Sequence, residues 1–157
     1  MTITDSNIEI QIIHKIPESM SKELIKEAVL IAYNESSRAY DFDVSVNVRI
    51  VGTDEGTEIN RKYKHKDGPT NVLAFVGEPE RENNLGIGAP SLGDIVVCYP
   101  VVEKESDEMK EDVERHFVHM VIHGFLHLMG YDHQNDLEEH EMNELANKIL
   151  RSVILCV

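Results

Sequence analysis

Apolar and polar residues alternate along this chain with two different periods, and the period changes where the elements change. Ile8, Ile10 and Ile12 alternate with polar neighbours, which predicts a first strand. From about Pro17 to Glu35 the apolar positions Leu24, Ile25, Ala28, Val29 and Ala32 fall on one helical stripe. FDVSVNVRI returns to strict alternation, so Val44, Val46, Val48 and Ile50 face one side of a half-buried strand. DEGTEINRKYKHKDGP reads as a short helix running into a turn stopped by Gly68 and Pro69. NVLAFV and DIVVCYP are compact apolar runs that suit buried strands. GEPERENNLGIGAPSLG, between them, reads as a loop or wide hairpin connection, of the kind that often borders a site. One long helix is expected over roughly residues 106 to 129. A second begins at Asp136, whose carboxylate is expected to cap it, with Glu139 at the capping-box position. Its apolar stripe is Met142, Leu145, Ala146, Ile149, Leu150 and Val153. The order β-α-β-α-β-β-α-α predicts an α+β fold: a single mixed sheet of about four strands covered by helices.

At 157 residues the chain reads as one domain, 1–157, long enough to bury a core. An apolar content of 41% and a charged content of 28% match ordinary soluble globular proteins. MTITDSNIEIQIIHK has no basic region followed by an apolar stretch, so no signal peptide is read. AVLIAY and VILCV are too short to span a bilayer, so no membrane association is expected. Cys98 and Cys156 do not make a disulfide framework, and a reducing cytoplasm is the simpler location. The net charge of −14 argues against a general nucleic-acid binder, because phosphate-tracking surfaces are basic. The charge is uneven, however. Acid gathers in EKESDEMKED and NDLEEHEMNE, whereas Arg61, Lys62, Lys64 and Lys66 put four of fifteen cations within six residues. Before other evidence, the plainer reading of that cluster is a solvated helix end rather than an anion site.

Histidine narrows the chemistry. Six of the eight histidines lie between residues 116 and 140. His116, His119, His123 and His127 stand at helical spacing on one stripe of the long helix. His123 and His127, one turn apart, can aim ring nitrogens at one point. Gly130 can take a left-handed conformation that ends the helix and lets His133 return as a third ligand. Three neutral imidazoles leave a fourth position for water, the pattern of a catalytic zinc. His119 reads better as a packed histidine than as a ligand, and His116 and His140 as structural or exposed. Asp132 is placed to hydrogen-bond a ligand imidazole or simply to end the helix.

The stretch HGFLHLMGYDH (123–133) has the histidine spacing of a metalloprotease but carries Gly124 where those enzymes carry a glutamate. That glutamate moves a proton from metal-bound water to the leaving amine, and glycine has no group to do so. A phosphodiester has a less basic leaving group. A metal plus a cation to hold the phosphate suffices for it.

HGFLHLMGYDH, KDGPTNVLAF and SLGDIVVC together resemble the YbeY family of bacterial single-strand-specific endoribonucleases, the rRNA maturation factors, over about residues 45 to 145. The resemblance implies a zinc-dependent cytoplasmic endoribonuclease, with one zinc ion on His123, His127 and His133 in a metalloprotease-like site on a C-terminal helix. It implies action in ribosomal RNA processing and ribosome quality control. The implied partners are single-stranded RNA, ribosomal RNA and small-subunit components, not DNA. The family's phosphate-contacting arginine after a tyrosine is Lys64 here, following Tyr63. Lysine keeps the charge without the bidentate fork, and Arg61 is a reserve for that role. Ala74 stands where the family commonly has serine. Two rival readings stay open at this level. One is a metal-dependent hydrolase of another substrate, including a peptidase using Glu138 or Asp132 as its base. The other is a non-enzymatic ribosome assembly factor with a structural metal. Nickel, copper or iron also suit an imidazole site.

Overall fold

A computed structural model describes residues 2–155, leaving the side chain of Leu155 undescribed; Cys156 and the end of VILCV lie outside it. A 3-10 turn (Asp5–Asn7) leads into β1 (Ile8–Ile12), α1 (Lys22–Glu35) and β2 (Ser45–Val51). Then come α2 (Thr53–Lys64), β3 (Val72–Val76), α3 (Pro79–Asn84) and β4 (Ser91–Cys98). The chain finishes with α4 (Tyr99–Met109), α5 (Val113–Leu128) and α6 (Asp136–Leu155). The architecture is α+β, with one open four-stranded mixed sheet in the order β1-β2-β4-β3. β1, β2 and β4 run parallel, and β3 lies antiparallel at the edge beside β4.

Alternation in β1 and β2 sorts the two faces of the sheet as expected. Ile8, Ile10, Val46, Val48 and Ile50 are buried, while Glu9, Gln11, Asn47 and Arg49 point to the other face. The apolar face meets α1 and α5, α6 packs against those two helices, and all of them form one core with the sheet. On the opposite face α2 covers only one end, where Val51, Leu73, Val96 and Cys98 pack with Ile59 and Phe75. The buried Cys98 thiol is free, and burial pushes its pKa up.

Four boundaries differ from the periodicity. The expected helix from Pro17 starts at Lys22, because the Ser21 hydroxyl accepts the Leu24 N–H and fixes the N-cap there. The loop GEPERENNLGIGAPSLG contains α3, whose six residues are polar after Pro79 and give no hydrophobic stripe to detect, and its last residues already belong to β4.

The single helix expected over 106–129 is two helices. Lys110 turns left-handed (φ 56°) and α5 restarts after Asp112. Residues 110–112 are all charged, so nothing apolar holds a straight helix on the core there. The break has a structural consequence. Glu105 and His116, eleven residues apart, would sit about 16 Å apart along a continuous helix; instead His116 Nε2 lies 2.9 Å from the Glu105 carboxylate. Finally, the cap of α6 is Asn135, not Asp136: its side-chain oxygen accepts the Glu138 N–H at 2.9 Å. Asp136, Glu138 and Glu139 then occupy the first turn, where negative charge suits the helix dipole.

Candidate metal centre and cleft

α5 is held by the core along its whole length. Phe117, Val121, Ile122, Phe125 and Leu126 are each at most 1% exposed. The same helix leaves His123 and His127, four residues apart, on its other side at the mouth of a cleft of about 470 Å³. His133 reaches the same point from the turn after α5, and the three rings offer nitrogens that all lie within 4.8 Å of one another. His123 Nε2 and His127 Nε2 are 3.2 Å apart. Two imidazoles bound tetrahedrally at about 2.0–2.1 Å to one zinc-like ion would be roughly 3.3 Å apart, so the donor set fits a metal ion.

Protonation favours the same use. Burial, helped by the neighbouring charges of His127, His119 and His133, lowers the His123 pKa to about 4. Burial and the charge of His133 also push His127 down, with Asp132 opposing. Both rings therefore present lone pairs at neutral pH, which is the form a metal takes. His133 is the open side of the cluster, with its side chain 55% exposed.

The turn that delivers His133 is built from distant residues. Gly130 has φ +92°, a conformation that side chains resist, and a Cβ there would come within 3.1 Å of the Arg38 guanidinium. Arg38 donates to the Met129 carbonyl at 3.2 Å and its guanidinium carbon stacks 3.7 Å from the centre of the Tyr131 ring. The Tyr131 hydroxyl donates to the Ser36 carbonyl. Asp132 acts on the backbone, accepting the His133 N–H at 2.7 Å, while its nearest approach to that ring's Nδ1 is 3.9 Å. Arg38→Ala is therefore expected to weaken metal binding by about tenfold, the lower range for residues that orient a ligand. Competition against a chromophoric chelator measures it. Unchanged affinity would mean that the turn holds itself.

The opposite wall comes from α2 and β3. Asn60, Lys64 and Lys66 line it together with Thr70, Asn71 and Val72–Ala74, with Gly124 at the floor. Lys64 lies near enough for its charge to help hold His127 neutral. Arg61 is exposed on α2 and does not line the cleft. Neither do Glu138 and Asp132, the carboxylates considered as alternative bases. Ala74 contributes a methyl group to the wall.

His119 is held neutral by burial first and by His116 next, and is not part of the three-nitrogen cluster. His116, only 5% exposed, bonds Glu105, whose carboxylate also accepts from the Asn71 amide at 3.1 Å. Asn71 in turn accepts the Val72 N–H at 2.7 Å. This chain of bonds from α5 through α4 fixes the start of β3 on the cleft wall. Sequence reasoning missed Asn60, Thr70 and Asn71, because single polar residues near a turn carry no spacing signature.

The sequence profile of the Endoribonuclease YbeY family matches residues 7–154. A protein of Cellvibrio japonicus named Endoribonuclease YbeY is 41% identical over 143 residues, 91% of this chain and 77% of that one. A Pseudomonas putida protein of the same name is 42% identical over 125 residues, covering 79% and 78% of the two chains. Among solved structures, that of TM1509 from Thermotoga maritima superposes with a TM-score of 0.63 at 32% identity, covering 93% of this chain and 88% of the other.

Proposed function

The chain belongs to the YbeY endoribonuclease family, and from that premise we propose that it is a zinc-dependent endoribonuclease of single-stranded RNA, acting in ribosomal RNA maturation and ribosome quality control. The observation that carries this reading is the convergence in one cleft of three imidazoles and two lysines. His123, His127 and His133 would hold the zinc, which would supply Lewis-acid polarisation of the phosphate and an acidified water. Lys64 steadies the non-bridging oxygens of the scissile phosphate, and Lys66 extends the cationic wall along the strand. Arg61, outside the cleft, is left the minor part of steering the incoming backbone.

A chain of net charge −14 that sets Lys64 and Lys66 on this wall would repel bulk nucleic acid and accept one short strand, most readily when a ribosomal partner presents it. Action on ribosomal RNA would place the protein in the cytoplasm; among the described residues no helix is long and apolar enough to cross a membrane.

The test is cleavage of a ribosomal RNA fragment containing paired and unpaired segments, in purified protein with added zinc. Cuts are expected only in unpaired segments. Lys64→Ala should reduce the rate by roughly 10- to 100-fold with bound metal unchanged, less than a fully enclosed anion donor costs because Lys64 is exposed. Lys64→Arg should retain or raise it, since guanidinium grips phosphate through two parallel bonds. Turnover of a peptide library with no RNA cut would refute the reading.

A further inference from the structure

Beside the metal cleft, on the far side of β3, lies a second concavity of about 510 Å³ on the open face of the sheet. We propose that it is a stacking subsite for an unpaired nucleobase, with Tyr63 as the platform and Phe75 as its support. The proposal rests on the RNA reading above and adds where the strand goes when it leaves the cleft.

Tyr63 closes the last turn of α2 with its side chain toward solvent, 55% exposed. An exposed aromatic ring is ordinary by itself, but this one is braced. Phe75 meets it edge to face, with ring centroids 5.4 Å apart, so the ring has a fixed support on one side. Two cations attend the pair: Lys62 Nζ is 5.3 Å from the Tyr63 centroid and Lys64 Nζ 5.4 Å from that of Phe75. Lys64 thus belongs to both places. It lines the metal cleft and sits over the aromatic pair, so a phosphate it holds has a neighbouring nucleotide within reach of Tyr63.

The charge pattern of the concavity selects which part of a nucleotide it takes. Its floor carries Glu9, Asp94 and Asn47, and the Arg49 beside them is spent: it donates to both Glu55 oxygens and to Gln11. An anionic phosphate is repelled from such a floor. A neutral base, whose exocyclic amino groups can donate to a carboxylate, is not. Cations at the rim and neutral-to-acidic polar groups inside match a strand that keeps its phosphates outside and turns one base inward. Ile59 and Val96 add apolar contact for the ring. Stacking on aromatic side chains tolerates any base, which suits an enzyme that selects unpaired strands rather than a particular sequence.

The chain has no tryptophan, so Tyr63→Trp introduces a single reporter. Zinc-loaded full-length protein is titrated with a short 2′-O-methyl oligoribonucleotide and with an abasic strand of equal length. The fluorescence of the introduced indole should be quenched by the first and not the second. Tyr63→Ala should weaken binding of the base-bearing strand by at least about fivefold, the low end for a stacked base, and leave the abasic strand unaffected. Tyr63→Phe should restore affinity. Thermal melting of each variant checks that the fold is unchanged. Binding that depends on Lys64 while Tyr63→Ala is silent and the indole unquenched would overturn the subsite and leave the cleft reading standing. No binding of either strand by the unaltered protein would overturn the RNA reading, and the subsite with it.

Discussion

His127→Ala is expected to abolish both high-affinity metal binding and RNA cleavage while the protein stays folded. The loss should be total within assay limits, because two remaining imidazoles on a tetrahedral ion leave it half-hydrated and loosely held. Residues that merely orient a ligand already cost about 10- to 100-fold in affinity, so a ligand itself costs more. Fold retention follows from how α5 is anchored. Its inward face, from Phe117 to Leu128, is buried in the main core, whereas His127 is only partly buried and stands at the cleft, outside that core. The metal-free variant and the metal-free wild type should melt within a few degrees of each other, and the loaded wild type above both, since a ligand bound only to the native state stabilises it. Elemental analysis, chelator competition and a melting curve settle each part. If stripping the metal unfolds the wild type, the ion is a structural pin and the non-enzymatic reading gains. If chelation and His127→Ala both leave cleavage intact, the nuclease is a contaminant.

The legibility of this chain was uneven for physical reasons. Strand β2 could be read because burial on one side of a pleat forces a period of two, which Val46, Val48 and Ile50 obey, with Val44 in phase just before the strand and only Val51 at its end breaking the alternation. The histidine cluster could be read because two of its members share one helical turn and the third follows a glycine hinge. Both signals are local. What stayed hidden is long-range. Nothing in NVLAFV announces that β3 lies antiparallel at the edge, and that position is what opens the cleft wall. The Arg38 contact with Tyr131 joins residues 93 positions apart and has no sequence signature. The helix break at Lys110 escaped periodicity because a run without apolar residues says neither "continue" nor "stop". Yet that break brings Glu105 to His116 and so anchors Asn71.

Gly124→Glu, which completes the protease spelling of the motif, is expected to destabilise the protein and to yield no peptidase. Gly124 lies on the floor of the cleft where α5 crosses the sheet, and the missing side chain is what lets the helix approach. A Cβ built there would stand 2.9 Å from Ile95 Cγ2 and 3.0 Å from Val72 Cγ2. Ile95 is fully buried on β4, so it cannot swing away as a surface side chain would. The first carbon alone overpacks a core contact, at about 1–3 kcal/mol. Up to about 1 kcal/mol returns because glycine is a poor helix former, so Gly124→Ala should lose roughly 0–2 kcal/mol. Glutamate adds a carboxylate at an apolar helix–sheet contact, a further cost of several kcal/mol unless it is protonated or prises β3 away. For a chain of this size about 4 kcal/mol corresponds to a melting point lower by roughly 8–16 °C. Differential scanning calorimetry of the alanine and glutamate variants, with a casein assay beside it, measures the prediction. A glutamate variant that melts like the wild type and cuts peptides would show room at this position and a cleft prepared for amide hydrolysis. The expected outcome is the reverse. Glycine at this position is then a packing requirement of α5 on β3 and β4, and the same contact that closes the space for a protease base leaves the three imidazoles facing Lys64 and Lys66.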